Sequence, residues 1–283
     1  MKKIVYFFFV ACSIVFISCN NNTDSKTSAN DSTEKKDSMN SASIKEDAVE
    51  YSADTVKMNG YVAYDANVEG KRPVVLVVPE WWGLTDYPRM RAKQLAQLGY
   101  LAMAVDMYGN GKTVDNPTDA QNMSMPFYQD PQMGYKRLMA AAAKIKTDPH
   151  ADTSKMAAIG YCFGGGMVLN AARLGADFDG VVSFHGSLVG APAKKGLIKA
   201  DILVCHGDAD PFVPAKDVQA FKKSMDSVGA HYTFKAYPGA LHAFTNPGAT
   251  ELGKKFNLPI AYNAAADSAS WNDMKEFFGK VLK

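Results

Sequence analysis

The feature that most limits how this chain can fold is a series of short, continuous apolar runs, each followed by a segment of helical pattern. Residues 74–79 (VVLVVP), 101–106, 156–161, 180–184, 202–205 and 232–237 read as strands. Residues 89–98, 132–145, 164–174, 215–228 and a segment from about Ser268 read as helices. Strands with no polar face belong in a parallel sheet covered on both sides. The expectation is therefore an α/β fold: a mostly parallel central sheet with helices on both faces. Residues 56–64 add one or two early strands, and the polar stretch after Asp106, to about Pro131, reads as a long loop. Ligands of such sheets sit beyond the carboxyl ends of the strands, so the loops there are where chemistry is to be sought.

The N-terminus speaks to location. Lys2 and Lys3 precede an apolar run over residues 4–17 that ends at Ser18-Cys19. That run falls short of the ~20 apolar residues a spanning helix needs, which favours a signal peptide over 1–18. Phe16-Ile17-Ser18-Cys19 resembles a lipobox, making Cys19 the expected lipidation site; the alternative is a plain secretory signal cut near Ser18. Residues 19–50 are rich in Asn, Ser, Thr, Asp and Lys, and read as a disordered tether before a domain over 51–283. The expected location is the cell envelope, facing the periplasm, with the lipid anchor as the sole membrane contact. Lys2 and Lys3 are the only charges before Cys19; without them 29 basic residues face 29 acidic ones. Such a balance excludes a basic field for nucleic acid.

Gly160-Tyr161-Cys162-Phe163-Gly164 has the G-x-S-x-G form of a nucleophile elbow, with cysteine in place of serine. An apolar strand precedes it and Gly164-Gly165-Gly166 opens a helix after it, so Cys162 is the candidate nucleophile. A helix N-terminus beside a thiol favours the thiolate. The required acid and base should follow in that order. His206-Gly207-Asp208-Ala209-Asp210 offers two carboxylates after a buried strand, and His242 follows the last strand. His150 and His231 lie in polar connections, His185 reads as a structural histidine at the site's edge, and His206 as support for the acid loop. Pro79-Glu80-Trp81-Trp82-Gly83 follows the strand that supplies half of an oxyanion hole in this kind of site. The backbone N–H groups of Trp81 and Phe163 are the expected donors, with Glu80 close to the thiol. Cys205, inside a buried strand, is expected to be an inert core thiol too distant from Cys162 for a disulfide.

Taken together, G-Y-C-F-G-G, H-G-D-A-D-P-F-V-P, H-A-F, P-E-W-W-G and a C-terminal A-Y-N-A-A-A-D-S-A-S-W resemble the dienelactone hydrolase family over most of the chain after residue 50. The resemblance implies an α/β-hydrolase fold, Cys162 as nucleophile, Asp210 rather than Asp208 as the acid, and His242 as base. It also implies that Glu80 pairs with the resting thiol and shifts when substrate binds. The pattern departs at two places, where arginines that grip a substrate carboxylate are expected: Gly109 follows Asp106-Met107-Tyr108, and Thr245 follows His242-Ala243-Phe244.

The function expected is hydrolysis of a small carboxylic ester or lactone through an acyl-enzyme, by a monomer needing no cofactor and no metal. The alternatives are another acyl substrate, such as an acetylated sugar or a thioester, and a catalytically silent binding module. Loss of both arginines predicts that neutral substrates outrun anionic ones, unless Arg89, Arg91, Arg137 or Arg173 reaches the pocket.

Overall fold

Residues 42–283 are described by a computed structural model, in which the apolar runs become eight strands of one sheet. In chain order the elements are β1 (Ile44–Ala53), β2 (Val56–Asp65), β3 (Arg72–Val78), α1 (Asp86–Gln97), β4 (Leu101–Ala104), α2 (Pro117–Gln129), α3 (Pro131–Ile145), β5 (Ala151–Tyr161), α4 (Phe163–Arg173), β6 (Gly180–Phe184), β7 (Asp201–Gly207), α5 (Ala215–Val228), β8 (Tyr232–Tyr237), α6 (Ala249–Phe256) and α7 (Ala264–Val281). The sheet order is β1-β2-β4-β3-β5-β6-β7-β8. β1 and β2 form an antiparallel hairpin, β2 pairs antiparallel with β4, and every later pairing is parallel.

Strand side chains alternate between two apolar clusters, one on each face. Val74, Leu76 and Val78 of β3 pack with Leu138 of α3, Met167 of α4 and Phe221 of α5. Val75 and Val77 pack on the other side with Leu95 of α1 and with Met274 and Phe278 of α7. Burying each such side chain completely is worth roughly 1.5–3 kcal/mol relative to exposure. α4 lies closest to the sheet's centre, and all eleven of its residues are buried, which explains its near absence of polar groups.

Two expectations change. The tether was expected to run to residue 50, but residues 44–50 belong to β1, so the folded domain begins earlier. β1 is an edge strand whose Lys45, Glu46 and Asp47 are exposed, and edge charges that block further pairing mimic the composition of a linker. The loop expected after Asp106 contains a helix, α2. Pro117 at its first turn and the Asn116 side chain, which accepts from Asp119 N–H at 3.0 Å, start it; only Ala120, Ser124 and Phe127 are buried, too few for a visible apolar stripe. The expected signal peptide, Cys19 and the first part of the expected tether lie outside the described residues.

Candidate active site

The carboxyl ends of β3, β5, β7 and β8 converge on one cavity of about 440 Å³. Cys162, Glu80, Trp81 and His242 all line it. Two larger surface grooves, of about 640 and 630 Å³, touch none of these four residues.

Cys162 stands between β5 and α4 at φ 52°, ψ −113°, a conformation that L-residues rarely adopt and that functional turns impose. The flanking glycines make it possible. A Cβ on Gly160 would lie 2.1 Å from the Gly164 carbonyl oxygen, and one on Gly164 would lie 2.3 Å from that of Val78. The backbone N–H of Phe163 opens α4 beside the thiol, and Trp81 comes from the loop after β3. The Tyr108 hydroxyl donates to the Trp81 carbonyl at 2.8 Å and steadies that loop. The Phe163 ring is buried against Tyr108, Phe127 and Tyr128.

His242 Nδ1 contacts Asp210 Oδ2 at 2.7 Å, and the Asp210 side chain is fully buried. The other oxygen, Asp210 Oδ1, accepts the Phe212 N–H at 2.8 Å, which fixes the carboxylate's direction. The imidazole lies beside Cys162 at the cavity wall, close enough for the sulfur to act on it. Burial opposes a charge on His242, but the negative charge at Cys162 and the bond to Asp210 outweigh it and push its pKa up to about 10. The imidazole is thereby kept ready to donate a proton at neutral pH. Asp208, by contrast, accepts from Gly239 N–H at an exposed position, 2.6 Å away.

Glu80 is buried, and burial pushes its pKa up to about 7 despite a hydrogen bond from Asn246 Nδ2 to Oε2 at 2.7 Å. Sequence reasoning missed Asn246, which sits four residues after His242 and carried no motif. It also missed Phe212, half exposed at the mouth with its ring edge-on to His242 at 5.1 Å, and the wall formed by Leu258 and Ile260. Met125 and Tyr128 of α2 add a further apolar wall.

Cys205 is wholly buried in β7, with β6 between it and the elbow strand. Both described cysteines are free thiols, and burial pushes that of Cys205 up to about 12. Among the described residues no group of three or more His, Cys, Asp or Glu side chains is placed to hold a metal ion.

A doubly covered parallel sheet with a strained elbow between a central strand and the central helix defines an α/β-hydrolase. Residues 58–282 match the dienelactone hydrolase family. The chain belongs to that family. It is 32% identical to a dienelactone hydrolase-like promiscuous phosphotriesterase, P91, from metagenomic libraries, whose structure superposes with a TM-score of 0.80 over 85% of this chain and 99% of that one. A second solved structure, m3DLH, gives a TM-score of 0.81 at 32% identity, with the same coverage of each chain. A protein of Aquifex aeolicus provisionally named a carboxymethylenebutenolidase is 27% identical over 241 residues, covering 83% of this chain and 98% of its own.

Proposed function

We propose that this hydrolase cleaves a neutral carboxylic ester or lactone through a thioacyl intermediate on Cys162. The observation that carries the reading is the bracketing of His242 between the buried Asp210 and the thiol, at the wall of a cavity large enough for a small acyl group. The Cys162 sulfur attacks the carbonyl carbon, and the Trp81 and Phe163 N–H groups receive the charge that develops on its oxygen. His242, already protonated, gives its proton to the departing alkoxide, which in a lactone stays tethered to the acyl chain. It then takes a proton from the water that attacks the thioester, and the thiolate leaves. Asp210 holds the imidazole tautomer throughout.

Cys162→Ala tests this. Removing a nucleophile that acts as a unit with its base typically costs many orders of magnitude in turnover, so essentially all esterase activity should go, whereas Cys205→Ala should keep most of it. Near-normal turnover in Cys162→Ala would defeat the mechanism.

A neutral phosphotriester is a second reading, favoured by a cavity wall without lysine or arginine among the described residues and by the activity named for the P91 relative. The same sulfur would attack phosphorus instead of carbon. The proposal also keeps export and anchoring at Cys19, supported by the apolar run and lipobox-like residues before it. A fatty-acid label incorporated during expression should tag the wild-type protein and not Cys19→Ala; an untagged, released wild-type protein would contradict anchoring.

A further inference from the structure

One buried titratable group beside the site has no part in the mechanism above. His185 follows β6, and the parallel register that pairs Tyr161 with Phe184 sets it next to Cys162. It is 1% exposed, and its backbone is at φ 42°, a second left-handed residue beside the elbow. The Cys162 backbone N–H points at both the Phe184 carbonyl, at 3.0 Å, and His185 Nδ1, at 3.1 Å. An amide can only donate, so Nδ1 must be the bare nitrogen and Nε2 must carry the proton. Nε2 is 2.7 Å from Thr245 Oγ1 and therefore donates to it. The Thr245 hydroxyl also shares a hydrogen bond with the Tyr87 hydroxyl 2.6 Å away, in which either oxygen can donate. Arg91 closes the chain: it donates to Tyr87 Oη at 3.3 Å and to the Thr245 carbonyl at 2.6 Å, and is paired with Asp267.

The Cys162 amide thus assigns both nitrogens of His185 and makes Thr245 the acceptor from it. The chain also joins two loops that the chemistry needs in register, because Thr245 lies three residues after His242 and His185 touches Cys162. The two imidazoles are edge to face, with centroids 5.3 Å apart. Burial, with the positive charges of His242 and Arg91, holds the His185 pKa well below its usual value, so the bare Nδ1 persists.

We infer that His185 is a positioning residue for hydrolysis, a neutral tie that holds the Cys162 backbone to the His242 loop through Thr245. The inference rests on Cys162 being the nucleophile. A ring that only filled space would tolerate any isostere. A tie requires an acceptor toward Cys162 and a donor toward Thr245.

Four variants test it: Thr245→Val, Thr245→Ser, His185→Phe and Cys162→Ala. Thr245→Val keeps the shape and removes the hydroxyl; kcat should fall roughly tenfold, the worth of one to two hydrogen bonds, with KM little changed. Thr245→Ser restores the hydroxyl and should recover most of that loss. His185→Phe removes both bonds and should lower kcat by up to roughly 10²-fold, as small misplacements of reacting groups do. Alkylation of Cys162 by iodoacetamide at pH 7 should slow in parallel, since the thiolate then loses its aligned partner. If Thr245→Val and His185→Phe alkylate and turn over like the wild type while Cys162→Ala is dead, His185 is only core packing and the inference falls. If Cys162→Ala stays active, it is the nucleophile assignment that fails. Should His185→Phe not fold, the isosteric Thr245 pair still decides, because equal kcat in Val and Ser variants overturns the tie.

Discussion

Asn246 holds Glu80: its side-chain amide donates to the carboxylate at 2.7 Å inside the wall of the cavity that Cys162 shares. Even with that bond, burial keeps the Glu80 pKa at about 7, above the ordinary 4.5. Below pH 4.5 both folded and unfolded chains hold the proton and no penalty exists. Between about 4.5 and 7 the unfolded chain ionises first, so stability falls with rising pH by up to roughly 3 kcal/mol, and the loss is complete above that window. Glu80→Gln removes the buried charge and should raise Tm more at pH 8 than at pH 4. Thermal melts at the two pH values check this, and an equal shift at both would contradict it.

The two acid-loop carboxylates should separate cleanly. Asp210 contacts His242 from a fully buried side chain, while Asp208 caps the exposed Gly239 turn. Asp210→Asn presents an amide where the imidazole needs an acceptor and should cost up to roughly 10⁴-fold in kcat. Asp208→Asn should cost far less. Steady-state kinetics of both variants check the ranking, and a reversed ranking would contradict it.

Neutral substrates should exceed close carboxylated analogues in kcat/KM. Among the described residues, the cavity wall holds no lysine or arginine and does hold Glu80. The four arginines that could have supplied a grip are engaged elsewhere. Arg91 binds Asp267 and the Thr245 carbonyl, Arg137 the Ala53 carbonyl, Arg173 the Leu188 carbonyl, and Arg89 lies over the Tyr61 ring. Desolvating a carboxylate there goes unrepaid, whereas a charge-assisted pair would return roughly 1.5–3 kcal/mol per bond. Paired kinetics on a neutral lactone and its carboxylated counterpart check this; preference for the anion would contradict it.

What could be read from the sequence divides along a physical line. Buried strands such as residues 74–78 and the elbow around Cys162 announce themselves, because burial on two faces and a tight turn each restrict residue type locally. β1 did not, since an exposed edge strand shares its composition with a linker, and α2 did not, since it is held by Asn116 and Pro117 rather than by an apolar stripe. Glu80 was visible through its motif, but its partner Asn246 was not, because their contact spans 166 residues and depends on how two loops meet. His185 could be placed at the site's edge from its strand, yet its bond to Cys162 needed the β5–β6 register.

The most direct test of the account is the acyl-enzyme itself. Wild-type protein turning over an activated aryl ester is quenched in acid, digested, and the peptide containing Cys162 is weighed by mass spectrometry. The account predicts that this peptide gains the mass of the acyl group while turnover lasts, that the peptide containing Cys205 does not, and that Cys162→Ala shows neither adduct nor turnover. Undiminished turnover by Cys162→Ala, with no adduct on the wild-type cysteine at any time, would contradict it.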